Sequence, residues 1–331
     1  MTKIIQNRTE LLFLYDIKDG NPNGDPLDEN KPRIDEQTGY NLVTDVRLKR
    51  TIRDYLYNFK KKEIFVREIS DKDGFIQDAK LRAEDFLKKA TGESIDKSKI
   101  PISEMKEIIN NNILSECIDV RLFGATIPLE KDDKNKTSIT HTGPVQFKIG
   151  RSLHKVFVKH FKGTGAFASD KKSKQKTFRE EDFLPYSFIC FYGIINENAA
   201  QDTKLSESDV DCLLDGIWNG TKNLISRSKV GQVPRLLLRV NYKEKDFHIG
   251  DLNNLLTIQS EMLDDEIRDV SDFKLDISKL IQKLDQHKKT IETIEYLVDN
   301  RVNFIYNGKE DLLENHLKSI GVNIMSITLR C

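Results

Sequence analysis

Three carboxylates stand close together in the first polar loop of the chain: Asp25, Asp28 and Asp35. A loop carboxylate can polarise a ribose hydroxyl or hold a divalent cation for RNA cleavage. The same residue type also serves turns. The run Asp19-Gly20-Asn21-Pro22-Asn23-Gly24-Asp25-Pro26 is dense in residues that close tight turns. Turn and cap chemistry is therefore the stronger reading of these aspartates. His141, His154 and His160 lie near one another, but their spacing fits no metal site. The four cysteines, Cys117, Cys190, Cys212 and Cys331, form no CxxC pair. Buried or incidental thiols are expected from them, not a zinc site or a disulfide framework. Phosphate-loop, serine-elbow and HExxH motifs are all missing. The sequence thus predicts no catalytic residue, no metal and no cofactor.

A second chemistry is carried by cations. Residues 148–179 hold Lys148, Arg151, Lys155, Lys159, Lys162, Lys171, Lys172, Lys174, Lys176 and Arg179 against Asp170 alone. Phe157, Phe161, Phe167 and Phe178 are interleaved with them. Residues 44–62 hold Arg47, Lys49, Arg50, Arg53, Lys60, Lys61 and Lys62 against two aspartates. The whole chain is neutral, 53 basic against 53 acidic residues. Its acidic counterweight runs from Glu261 to Asp276. Segregated charge of this kind predicts one face suited to a polyanion; the bland alternative is a set of solvated faces.

The elements that must position these side chains are legible in part. Residues 11–17 alternate as a strand, with Leu11, Phe13, Tyr15 and Ile17 on one face. Thr44 is placed to cap a helix over residues 45–59. That helix aligns Leu48, Ile52, Tyr55, Leu56 and Phe59 on one side and turns Arg50 and Arg53 away. Residues 60–118 read as a charged, helical insertion. DVRLFGATI (119–127) returns to strand-like character, and residues 143–147 read as a strand edge. YSFICFYGII (186–195) is a strong strand. Ser206 with Asp209 opens a helix expected to bury Val210, Leu213, Leu214, Ile217, Trp218, Leu224 and Ile225, and LLLRVNY (236–242) is another strand. From 243 onward the pattern predicts long polar helices, with Ile277, Leu280, Leu284, Ile291, Ile294 and Val298 along one seam and a short strand over 302–306. The order strand, helix, insertion, strands, helix, strand predicts an α+β fold of the split βαβ, RNA-recognition type.

With 331 residues, 38% hydrophobic and 32% charged, the chain can bury a substantial core. No apolar run approaches the roughly 20 residues of a membrane helix. The N-terminus lacks the plan of a signal peptide, so a cytoplasmic location is expected.

The segment NPNGDPLDENKPRIDEQTGYNLVTDVRLKRTIRDYL (21–56) closely resembles the signature of the backbone subunit of type I Cascade complexes. DVRLFGATI (119–127), GPVQFKIGRSLHKV (143–156) and SRSKVGQVPRLLLRVNY (226–242) are similar to that family's later blocks. Type I-B is the most similar variant, with type I-C near it. The last 90 or so residues carry no comparable signature.

The resemblance implies a right-hand shape. An RNA-recognition-like (ferredoxin-like) palm would comprise residues 1–59, 119–150 and 185–242. A helical fingers insertion would fill 60–118, a basic thumb hairpin 151–184, and a mainly helical extension 243–331. It implies subunits stacked head to tail on a guide RNA, each thumb crossing the RNA and displacing one nucleotide at intervals. The family's helix contacts map onto Lys49, Arg50 and Arg53. The full set of candidate RNA-binding residues is Asn21, Asn23, Arg33, Arg47, Lys49, Arg50, Arg53, Arg151, His154, Lys155, Arg227 and Lys229. Phe157, Phe161 and Phe167 are candidates for base stacking. The implied partners are CRISPR RNA, target DNA through the guide, other copies of the chain and further Cascade subunits, with no membrane. Two rival functions remain at this level. One is a type III-like endoribonuclease using Asp28 or Asp35; the other is a monomeric RNA-binding regulator.

Overall fold

The computed structural model describes residues 3–70, 74–91, 100–132, 135–168 and 176–331. The chain begins with β1 (Thr9–Gly20), the short paired strands β2 (Gly24–Asp25) and β3 (Lys31–Pro32), β4 (Tyr40–Val43) and α1 (Asp45–Lys60). A side lobe follows, built from α2 (Ala79–Thr91), α3 (Ile102–Glu116), α4 (Ile118–Phe123) and the hairpin β5 (Gly124–Asp132) with β6 (Asn135–Thr142). The chain returns through β7 (Val145–Phe147), β8 (Gly150–Lys155), β9 (Lys159–Ala168), β10 (Lys176–Ile195), α5 (Glu197–Thr203), α6 (Glu207–Lys222) and β11 (Val233–Tyr242). The last part holds β12 (Thr257–Gln259), β13 (Lys274–Asp276), α7 (Ser278–Gln286), β14 (Ile291–Val298), β15 (Phe304–Tyr306), β16 (Lys309–Asp311), α8 (Leu313–Lys318) and β17 (Asn323–Ser326).

The main sheet runs β17-β14-β11-β1-β10-β8-β4, with β7 also on β10. Strand β1 lies at its centre, antiparallel to β10 and β11. Its predicted face, Leu11, Phe13, Tyr15 and Ile17, packs under α1 and α6. Its opposite face, Leu12 and Leu14, is equally buried, against residues 252–320. A strand covered on both sides needs apolar residues at consecutive positions, which is what LLFLYDI supplies. Each fully buried aliphatic side chain there contributes about 2 kcal/mol.

Helix α1 starts where expected. Thr44 Oγ1 accepts from Arg47 N at 3.2 Å, and Leu48, Ile52, Tyr55 and Leu56 turn inward. It crosses α6 at two glycines. A Cβ on Gly216 would stand 2.9 Å from Ile52 Cγ2, and one on Gly220 would stand 3.1 Å from Tyr55 Cβ. Ser206 and Asp209 close the expected capping box on α6.

Several expectations change. The side lobe extends past 118 to the β5–β6 hairpin and has its own core of Phe65, Phe86, Leu87, Ile109, Ile113, Ile127 and Ile139. DVRLF is helical, and strand character starts at Gly124. Residues 151–155, the start of the expected thumb, pair within the main sheet. Beyond them β9 and β10 pair antiparallel. The mainly helical extension is replaced by short strands, 3-10 turns and two short helices. The predicted seam breaks at His287, which ends α7. Ile291–Val298 is a strand pairing with β11, in keeping with its β-branched and aromatic run. Cys212 and Cys331 form a disulfide across 119 residues, against the expectation of free thiols; Cys117 and Cys190 are free and buried.

Candidate nucleic-acid interface

One end of the main sheet gathers five of the twelve candidate residues, Asn21, Asn23, Arg47, Arg227 and Lys229. Strand β1 ends there at Gly20, opposite Leu184 of β10, and β11 begins there, with Val233 opposite Asp16. The loop after β1, the start of α1, the loop from α6 to β11 and the base of the β9–β10 hairpin therefore converge. They are stitched together by the backbone. Asn21 N donates to Ser228 O at 2.7 Å, and Arg227 pairs with Glu181 of the hairpin at 2.6 Å. Asn23 Oδ1 accepts from both Thr44 N at 2.8 Å and Thr44 Oγ1 at 2.9 Å. Asn23 of the first loop thus fixes the cap of α1.

At the centre of this end stand Arg47 and Lys229. Arg47 donates to Thr51 Oγ1 at 2.9 Å, and Lys229 Nζ to Ser228 Oγ at 3.3 Å. Among the described residues, neither has an ion pair. Burial pushes the Arg47 guanidinium below its ordinary value. Burial, with Arg47 close by, does the same to the Lys229 ammonium. Two more polar groups are left over beside them. Asn21 Oδ1 and Gln232 Nε2 are buried and have no hydrogen-bond partner. A narrow cleft runs between Tyr15, Arg47, Thr51, Leu224 and Gln232. Half-buried cations without counter-charges raise the free energy of the free protein, and an anion with spare acceptors relieves them.

The open face of an RNA-recognition-type sheet is not available here. Residues 252–320 cover it with Phe273, Leu275, Leu280, Ile281 and Leu284.

The family model of the CRISPR-associated protein Cas7 matches residues 7–278. The chain belongs to the Cas7 family. It is 31% identical over 350 aligned positions to the CRISPR-associated protein Cas7 of Haloferax volcanii, with 97% of this chain and 96% of the relative covered. A chain of a solved CRISPR RNA-guided surveillance complex in a pre-nicking state shares its fold, with a TM-score of 0.55 at 10% identity, over 95% of this chain and 99% of that one. A second solved CRISPR RNA-guided surveillance complex gives a TM-score of 0.46 at 10% identity, over 95% and 99% of the two chains.

The other candidates in this Cas7 chain divide by surroundings. Arg50 is exposed and pairs with Asp54 at 2.8 Å. Lys49 is mostly covered, bound to Asp45 at 3.1 Å and 5.7 Å from the Phe123 ring centre. Arg53 lies 3.1 Å from the fully buried Asp119, so it is a structural ion-pair partner. Arg33 pairs with Asp25 at 2.9 Å, and Arg151 with Asp35 at 2.9 Å. Lys155 is exposed, and its backbone N–H donates to Asp264 at 2.9 Å. His154 lies in the core. Its Nδ1 meets Lys155 O at 2.9 Å, its Nε2 accepts from Phe188 N at 3.2 Å, and burial lowers its pKa. With both ring nitrogens engaged inside the protein, His154 has none to offer RNA.

The acidic block packs beside the basic one. Asp264 reaches β8, and Arg268 sits 5.0 Å over Phe157. The loop carboxylates serve turns and pairs. Asp25 accepts from Leu27 N, Asp28 holds Lys31, and Asp35 accepts from Gln37 N. The Arg151 hydrogen bond holds the Asp35 carboxyl below its usual range. The sequence reading missed Gln232, whose unpaired amide only the folded chain reveals.

Proposed function

We propose that this protein is a non-catalytic backbone subunit of a CRISPR surveillance complex. It binds guide RNA by its ribose-phosphate chain, assembles with further copies along the guide in the cytoplasm, and presents the bases to target DNA. The observation that carries this reading is Arg47 and Lys229, two half-buried cations that form no ion pair among the described residues and whose charge burial disfavours. Guide sequences vary, so the protein must ignore them. Phosphate contacts set register without base information, and base pairing then does the recognising.

Membership of the Cas7 family supports the assignment. The sheet order β11-β1-β10-β8, with α1 and α6 on one face, supports reading this part as an RNA-recognition-like palm. The antiparallel β9–β10 hairpin suits the role of thumb.

The test is co-purification from a host that expresses a CRISPR array, followed by sizing of bound RNA and counting of protein copies. Several copies on one mature guide are expected. One copy per RNA, or no RNA at moderate salt, would reject the reading. Complementary RNA added with a divalent metal should stay intact. Periodic cleavage lost on Asp28→Ala or Asp35→Ala would make the protein a nuclease instead.

A further inference from the structure

The loop that supplies Lys229 also holds two large aliphatic side chains out in solvent. Ile225 is 74% exposed and Val230 is 54% exposed. Local backbone bonds fix their direction. Ile225 N donates to Asn223 O at 2.8 Å, and Lys229 N and Val230 N both donate to Ser226 O, at 3.1 and 2.9 Å. The turn closes at Gly231, whose φ of +87° suits glycine. Ile225 and Val230 bracket the cation in sequence, and Leu224, the residue before Ile225, lines the cleft beside Arg47. Both Leu224 and Ile225 were expected on the buried face of α6, but that helix ends at Lys222.

A nucleotide has a complementary layout, with a phosphate at one end and an apolar sugar–base surface one bond series away. Building on the RNA-binding reading above, we propose that Ile225 and Val230 pack against the sugar–base surface of the nucleotide whose phosphate Arg47 and Lys229 hold. Every base has an apolar face, so such a contact tolerates any guide sequence. The aromatic side chains of the hairpin are less free to do this. Phe161 is stacked on Phe183 with centroids 5.0 Å apart and planes 3° apart, and Lys159 lies 5.6 Å from the Phe161 ring centre. Phe157 carries Arg268. The Phe167 side chain lies outside the described residues.

The experiment compares two probes, a guide-length RNA and an abasic ribose-phosphate chain of equal length. Both are titrated against wild type and the Ile225→Ala/Val230→Ala double variant. Wild type should prefer the base-bearing chain by about tenfold. The variant should lose most of that preference, keep its salt slope and melt at the wild-type temperature, because both side chains are exposed. An undiminished preference in the variant overturns the inference and leaves the RNA-binding reading standing. A wild type that binds neither probe removes both.

Discussion

Arg53 Nε stands 3.1 Å from Asp119 Oδ2, and the same carboxylate accepts from Phe65 N at 2.7 Å and Val66 N at 3.0 Å. Asp119 is fully buried. A cation that helical periodicity turns away from the core is thus the counter-charge of a carboxylate that ties the side lobe to α1. Removing one member of a buried pair strands the other charge. Arg53→Ala should therefore destabilise the fold by about 3 kcal/mol, read as a fall in urea midpoint. Arg50→Ala, on an exposed pair, should stay within about 0.5 kcal/mol of wild type. Equal effects of the two would refute the distinction.

Lys229 gives a prediction of opposite sign. Its charge is disfavoured in the folded state, so the folded chain releases that proton more readily than the unfolded one. Wild-type stability should accordingly gain from this site as pH rises through the alkaline range below the ordinary lysine value of 10.5. Lys229→Met should stabilise the free protein by about 0.5–1 kcal/mol at neutral pH. It should also weaken RNA binding, with about 0.7 less salt slope for the lost phosphate contact. A variant that is both less stable and unchanged in salt slope would speak against the site.

The Cys212–Cys331 bond is open to direct chemistry. Alkylation of native protein before reduction should label neither of these thiols, and intact mass after reduction should gain two hydrogens. Cys331→Ser should lower stability by up to about 4 kcal/mol without reductant and have little effect with it. The two free thiols should resist labelling until the protein unfolds. Both are buried, and burial pushes the Cys190 thiol up to about 12.

The glycine crossing of α1 and α6 predicts a compensated pair of substitutions. Gly216→Ala places a methyl group 2.9 Å from Ile52 Cγ2, and such overpacking costs about 1–3 kcal/mol. Adding Ile52→Ala removes the obstructing group, so the double variant should lose less stability than the two single losses summed. Strict additivity in denaturant melts would show that the helices do not meet there.

How much of this was readable in advance depended on whether the signal was local. Thr44, Ser206 and Asp209 cap helices through bonds within three residues, so their roles follow from spacing alone. The strands LLFLYDI and YSFICFYGII announce themselves by β-branched and aromatic runs. The internal partners of Arg53 and His154 were not readable, because Asp119 and Phe188 lie 66 and 34 residues away. Nothing in the periodicity around either residue encodes that partner. Arg47 and Lys229 were both among the candidates, but only folding brings them near each other with no ion pair on either among the described residues. The seam from Ile277 to Val298 failed for a different reason. Short apolar runs satisfy helix and strand alike, and pairing with β11 decided the second half of it.

Glu10 lies at the centre of the palm, fully buried, and accepts from Tyr192 Oη, Tyr242 Oη, Ile249 N and Gly250 N. Two of those four donors belong to the segment after β11. The consequence concerns divisibility. A polypeptide halted at residue 242 would keep all four similarity blocks and still lack the backbone half of a carboxylate's coordination. It would also leave Leu12, Leu14, Phe188 and Leu238 facing water. The segment after residue 242 is therefore inseparable from what precedes it, and the two should melt as one cooperative unit.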